Sequence, residues 1–270
     1  MKLSHRKQRA TLMIVGAIVC LGTTFGVSSS ANAAQAFRAV VPLNAGSELL
    51  LPHNHDCTVG AVLKSRGAFA NLTSFTRANR FVVIAAHCGN VGDTVSTARS
   101  GQVGVIVWKS SDRDIALAQI PPRSQGGLVC DPRSAVVHCQ IVRTYVPQAV
   151  GRIFLDNSYG APQSYPVPRI GTPGHDERFC TSGAQSGVMC AWHPNPWIEG
   201  YGRGLTIMRN ASEGNVIPGD SGGPVAGLDG TLYGIIAESG NLGGPAQGTA
   251  GYTPISDVFR EQPNFELAPS

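Results

Sequence analysis

The 270-residue sequence contains no Cys-x-x-Cys pair, and its one His-x-His, formed by His53 and His55, stands alone. Structural zinc sites are built on such spacings, so no metal site is expected, and nothing in the chain calls for a cofactor. Charged residues are scarce, at 14%, which is low for a cytosolic protein. No internal repeat and no long low-complexity tract occurs. Helical periodicity is almost absent as well: only residues 255–262 read as a helix, with Ser256 as its cap.

What is present begins with an export signal. Lys2, Arg6, Lys7 and Arg9 precede an apolar, uncharged run over residues 12–27, and Ala31-Asn32-Ala33 is a small-x-small cleavage site. The run is short for a spanning helix, which needs about 20 residues. Ile18 and Val19 lack the small side chains of a lipoprotein box, so lipid attachment at Cys20 is not expected. Cleavage after Ala33 is expected, giving a secreted, extracellular chain without stable membrane insertion. The +4 net charge resides in that leader; its loss leaves 17 residues of each sign. With no general basic surface, nucleic acid and anionic membranes drop out as partners.

Of seven cysteines, Cys20 leaves with the leader and six remain. An even number in an exported chain suggests disulfides. Six cysteines can pair in many ways. Closeness in the chain suggests Cys57–Cys88, Cys130–Cys139 and Cys180–Cys190, each contributing about 2–4 kcal/mol if unstrained.

Gly (33) and Pro (18) are frequent, which suits short strands joined by turns. Strand-like runs cover residues 59–63, 81–86, 102–108, 115–120, 141–146, 152–155, 188–192, 205–208, 223–226, 232–237 and 252–255. Pro121-Pro122 and Ser124-Gln125-Gly126-Gly127 interrupt the pattern. This is an all-β reading, with two strand groups meeting within residues 121–145. The expected organisation is a leader over 1–33, a short propeptide or N-terminal arm over 34–56, and two units over 57–140 and 141–270.

The strongest chemical signal is Gly219-Asp220-Ser221-Gly222-Gly223-Pro224. A nucleophilic serine must stand on a tight turn that a carbonyl can approach, and flanking glycines allow this. The amides of Gly219 and Ser221 are candidates to hold an oxyanion. A serine hydroxyl needs a base, and His87 follows the apolar run 81–86 and precedes Cys88. The base needs a carboxylate to fix its tautomer. Asp114 heads the apolar run 115–120 and is preferred to its nearest rival, Asp112; the alternative for either is an exposed turn acid.

Ala85-Ala86-His87-Cys88, Asp114-Ile115-Ala116-Leu117 and the serine hexapeptide resemble the three signatures of chymotrypsin-like (trypsin-like) serine proteases, in that family's order. Spacing, and Cys57-Thr58-Val59-Gly60 before the histidine, resemble the secreted bacterial streptogrisin and α-lytic branch. The resemblance covers roughly residues 55–260. It implies two antiparallel six-stranded β-barrels with the active site in the cleft between them, and it supports the Cys57–Cys88 pair. It also implies a serine endopeptidase with His87, Asp114 and Ser221 catalytic, acting on peptide or protein substrates as a monomer. Asn215 would lie at the floor of the pocket for the residue before the cut, with Ala237, Glu238 and Ser239 along a wall and Ala250 nearby. Asn215, in place of an aspartate, argues for a neutral or apolar residue there, and Glu238 argues the other way.

The segment 34–56 is too short for the large folding propeptide of many bacterial relatives. No clear activation site for a zymogen is visible. By position, Arg169 or Arg178 would supply a cation to Asp220. Two rival functions remain: a secreted binding protein that keeps a protease-like fold without catalysis, and a serine esterase of another fold. The esterase would place a Gly-x-Ser-x-Gly elbow ahead of its acid and histidine, the reverse of the order found.

Overall fold

The computed structural model describes residues 37–52, 55–131, 138–156, 162–212, 214–240 and 246–270. The leader and His53 lie outside the described residues. Two β-assemblies are packed together. One is a closed barrel in the order β13-β14-β15-β18-β17-β16, formed by Phe179–Gly183, Gly187–Asn195, Thr206–Asn210, Thr249–Pro254, Leu232–Ser239 and Pro224–Gly227. Alternating large apolar side chains fill it: Phe179, Trp192, Met208, Val225, Ile236 and Tyr252 form one buried cluster. Trp192 is fully buried and its indole N–H donates to Thr181 Oγ1 at 2.9 Å, so its one polar atom is satisfied.

The other assembly is an eight-stranded sheet, order β19-β4-β5-β8-β7-β6-β2-β3. Its members are Phe265–Leu267, Ala61–Ser65, Arg80–Ile84, Ala116–Ile120, Gly101–Lys109, Thr94–Thr97, Glu48–Leu51 and His55–Thr58. The resemblance implied a second six-stranded barrel, and here the structure differs: this sheet is not closed. The outer edge of β4 is taken by the C-terminal strand β19, with Leu267 opposite Leu63 and the Ala268 amide donating to the Val62 carbonyl at 2.9 Å. A strand edge has one set of hydrogen-bonding groups, and here the chain's own C-terminus uses part of it. Leu63, Val83, Leu117, Leu232 and Ile235 belong to a single cluster that welds the open sheet to the barrel.

Several sequence expectations change. The interruption at 121–127 is instead the start of a strand, Arg123–Asp131, paired with His138–Val146 in a separate two-stranded ribbon. Residues 123–130 are exposed, so no hydrophobic alternation was selected to mark this first strand, whereas the second contains the run 141–146 read from the sequence. The C-terminal helix spans Ile255–Glu261, but Pro254 is its N-cap and Ser256 makes no cap bond. Residues 43–51 and 55–58 are woven into the fold. Leu43–Ala45 pairs in parallel with Ala149–Asp156, and Glu48–Leu51 pairs with His55–Thr58. All six cysteines after the leader are bonded, Cys57–Cys88, Cys130–Cys139 and Cys180–Cys190.

Candidate active site

His87 stands just beyond the buried strand Arg80–Ile84, in a single 3-10 turn formed by Ala86–Cys88. Cys88 is buried and bonded to Cys57, so the turn is anchored on both sides of the histidine. Asp114 closes a tight turn ahead of Ala116–Ile120. The Ser110 hydroxyl accepts from the amides of Asp112 and Arg113 at 3.1 and 3.0 Å, and Arg113 is tied to Asp257 at 2.9 Å. Both carboxylate oxygens of Asp114 are directed at His87: Oδ1 accepts the backbone amide at 2.9 Å and Oδ2 pairs with Nδ1 at 2.7 Å.

A carboxylate accepts only, so Nδ1 carries the proton and Nε2 is left as the basic nitrogen. The hydrogen bond to Asp114 raises the His87 pKa above its usual 6.5; burial opposes this, the charges of Asp114 and Glu238 add to it, and Lys109 opposes. Asp112 accepts from the neighbouring Ser111 hydroxyl and makes no bond to His87.

Ser221 shares a pocket with His87, His55, Asp56, Pro218 and Gly219. Among the described residues, no hydrogen bond yet joins Ser221 to the His87 ring; such contacts commonly tighten only when substrate binds. The turn around Ser221 is held in a particular way. Asp220, Gly222 and Gly223 donate their amides to the carbonyls of Ile217 (3.0 Å), Ile236 (2.8 Å) and Asp220 (2.9 Å). Within residues 219–223, the amides of Gly219 and Ser221 are the two that make no hydrogen bond among the described residues. Gly222 has φ +83°, and a Cβ there would lie 2.6 Å from the Thr58 carbonyl oxygen and 2.8 Å from the Ala85 nitrogen. Only glycine lets the serine turn of the barrel approach the histidine strand so closely.

The Asp220 side chain is fully buried and accepts the amides of Gln185 and Ser186 on Oδ1 and of Ile217 on Oδ2, at 2.9–3.0 Å. Thr58, which carried no functional signal of its own in the sequence, is buried beside this turn. Its hydroxyl donates to the Gly219 carbonyl at 2.7 Å and accepts the Ala184 amide at 2.9 Å, while its amide donates to the Ser221 carbonyl at 2.8 Å.

The residues expected at the substrate pocket lie at the end of Leu232–Ser239, directly after Ile236, the partner of Gly222 and Gly223. Ala237 is buried and Glu238 exposed; Ser239 is in register with Ala250, which is buried. Asn215 Nδ2 donates to the Gly240 carbonyl at 3.1 Å, and its Oδ1 is buried without a partner. Glu238 accepts the Gly202 amide at 3.2 Å. Neither arginine proposed for Asp220 reaches it: Arg169 pairs with Asp229 at 2.7 Å and Arg178 is exposed. Among the described residues, no cluster of three or more His, Cys, Asp or Glu side chains is arranged to hold a metal.

No family model matches the sequence, and no curated protein sequence does. Solved structures do match. Thermobifida fusca protease A superposes with a TM-score of 0.56 at 18% identity, over 84% of this chain and 98% of that one. Nocardiopsis protease gives 0.55 at 20%, over 82% and 96%. Cellulomonas bogoriensis chymotrypsin gives 0.52 at 17%, over 84% and 100%. This chain has the chymotrypsin-like serine protease fold. Within that fold, His87 and Asp114 adjoin strands of the open sheet and Ser221 precedes the barrel strand Pro224–Gly227, and the pocket lined by His87 and Ser221 falls where the two assemblies meet.

Proposed function

We propose that the chain is a secreted serine endopeptidase that hydrolyses peptide bonds through an acyl-enzyme on Ser221. The observation that carries this reading is the pairing of two features. A histidine is held by both oxygens of one carboxylate, and a serine in the same pocket is flanked by two unused amide donors, its own and that of Gly219. An ordinary glycine turn has no need to reserve those donors.

In the proposed reaction, Ser221 Oγ attacks the substrate carbonyl carbon while His87 Nε2 takes the hydroxyl proton. The carbonyl oxygen becomes an oxyanion within reach of the Gly219 and Ser221 amides. Asp114 holds the ring and stabilises the imidazolium. His87 returns the proton to the leaving amine as the C–N bond breaks, leaving an ester on Ser221. Water, deprotonated by His87, then attacks the ester and frees the acid and the serine. Asn215, Ala237, Glu238, Ser239 and Ala250 would form the pocket for the residue before the cut. Export rests on the N-terminal leader and suits the three disulfides.

The test is intact-mass analysis of the purified secreted protein before and after a fluorophosphonate probe, with Ser221→Ala and His87→Ala controls. One adduct, lost in both variants, is expected. A folded protein that takes up no probe and cleaves neither peptide nor ester would instead be a binding protein on a protease fold.

A further inference from the structure

Asp220 presents an electrostatic problem. Its carboxylate is fully buried, and no Lys, Arg or His nitrogen lies within 4.0 Å of it among the described residues. Amides stabilise it, yet a buried charge with no counter-charge is costly.

A second buried charge lies nearby. Arg38, in the arm that precedes Leu43–Ala45, is 3% exposed. Its guanidinium stacks 5.1 Å over the Phe154 ring, and Nη1 donates to the Gly46 carbonyl at 2.6 Å and to Ser182 Oγ at 3.1 Å. Nη2 has no partner, and the nearby Ser186 hydroxyl is likewise buried and unbonded. Ser182 connects the two charges. The next residue, Gly183, lies so close to Asp220 that a Cβ would stand 2.1 Å from Oδ1. On the other side, a Cβ on Gly46 would meet both Arg38 Nη1 and Ser182 Oγ at 2.7 Å. Arg38, Ser182, Gly183 and Asp220 thus form one packed series, with no room for a side chain at either glycine.

We propose that Arg38 is the positioning residue for Asp220: carried in by the N-terminal arm, its buried charge offsets that of the carboxylate and keeps the Gly219–Ser221 turn in the conformation that leaves both amides free. The arm is therefore a permanent part of the working protein, not a propeptide to be removed. Burial lowers the Arg38 pKa to about 10, and the charges of Asp220 and then Asp156 oppose that fall, so the guanidinium stays charged at neutral pH. Electrostatic attraction over more than one contact distance is effective here because both groups are buried. Without Arg38, the cheapest relief for Asp220 is to turn toward solvent. That motion would carry Gly219 and Ser221 with it and remove the oxyanion donors.

This inference rests on the serine endopeptidase reading for its kinetic arm but not for its stability arm. In the full chain, Arg38→Gln keeps polar contacts and loses the charge, and Arg38→Lys keeps the charge. Arg38→Gln is expected to lower kcat on an ester substrate by about 10²-fold, the scale of one lost oxyanion donor, with KM little changed. Arg38→Lys, or millimolar guanidinium added to Arg38→Gln, should recover much of it. Wild-type kcat in folded Arg38→Gln, or loss that neither the lysine nor guanidinium repairs, would overturn the proposal.

The second arm reads melting temperature in a double-variant cycle. Asp220→Asn should lower Tm in the wild-type chain and raise it in Arg38→Gln, where it removes an uncompensated charge. Where Arg38→Gln alone does not accumulate, the double variant should restore folded protein. A double variant no more stable than Arg38→Gln overturns the coupling. A wild-type protein that takes up no fluorophosphonate sinks the endopeptidase reading while leaving this cycle intact.

Discussion

Thr58 donates its hydroxyl to the Gly219 carbonyl at 2.7 Å, from the open sheet to the closed barrel. Its amide meets the Ser221 carbonyl at 2.8 Å. One residue of the N-terminal half thus fixes carbonyls on both sides of Asp220, in the turn whose Gly219 and Ser221 amides make no hydrogen bond among the described residues. Thr58→Val keeps the shape and removes the hydroxyl, leaving the Ala184 amide and the Gly219 carbonyl without their partner. A stability loss of about 1–3 kcal/mol is expected, measured by urea unfolding. Turnover should fall more than KM rises, because the loosened group is the oxyanion turn.

The acid side of the pH–rate profile should report His87. Its pKa is raised chiefly by the hydrogen bond that Nδ1 donates to Asp114, and the base works only when neutral. Activity should therefore fall as pH drops through a value above 6.5. Asp114→Asn removes the cause and should move that limb to lower pH, while kcat drops by about 10⁴-fold through loss of the correct tautomer. The stability effect has the opposite sense. A raised folded-state pKa means that the His87–Asp114 pair contributes fully below the unfolded value and loses its contribution as pH rises through the folded one. Thermal melts of wild type and Asp114→Asn across pH 5–9 check this: their difference should shrink toward the alkaline end.

Gly222→Ala places a methyl 2.6 Å from the Thr58 carbonyl oxygen, at a φ of +83°. Both obstacles nearest to it, the Thr58 oxygen and the Ala85 nitrogen, are backbone atoms and cannot swing away. A loss above about 1 kcal/mol is expected from the dihedral alone, together with a collapse of fluorophosphonate labelling at Ser221.

Breaking Cys57–Cys88 by a double change to serine opens a cross-link between residues 31 apart in sequence. The expected cost is about 3–4 kcal/mol, read from chemical denaturation. Because Cys88 adjoins His87, residual activity should fall before global unfolding begins.

Cleavage profiling with a peptide library should show neutral residues before the cut. Asn215, held to the Gly240 carbonyl, offers a buried neutral acceptor and no charge. Asn215→Asp should shift the preference toward Arg and Lys. Dominant Arg or Lys cleavage by the wild-type chain would instead assign the pocket to Glu238.

The sequence by itself determined many of the buried strands and singled out the candidate chemistry. Apolar runs such as 81–86 and 115–120 became buried strands because alternating or continuous apolar residues have few other stable fates. The Gly219–Pro224 motif was legible because a serine that must be approached closely needs glycine neighbours, and that need is local. Tertiary structure decided what depends on partners distant in the chain. In the open sheet, the edge of Ala61–Ser65 is taken by a C-terminal strand far away in sequence. Arg38 could not be recognised as a buried charge that interacts with Asp220, nor Thr58 as a clamp on the serine turn, because a buried charge or hydroxyl is assigned its role by whatever the fold places against it. Residues 34–56 read as a short propeptide or an N-terminal arm. Within that segment, Leu43–Ala45 and Glu48–Leu51 form strand pairs, and strands this short are too brief to show a period in sequence.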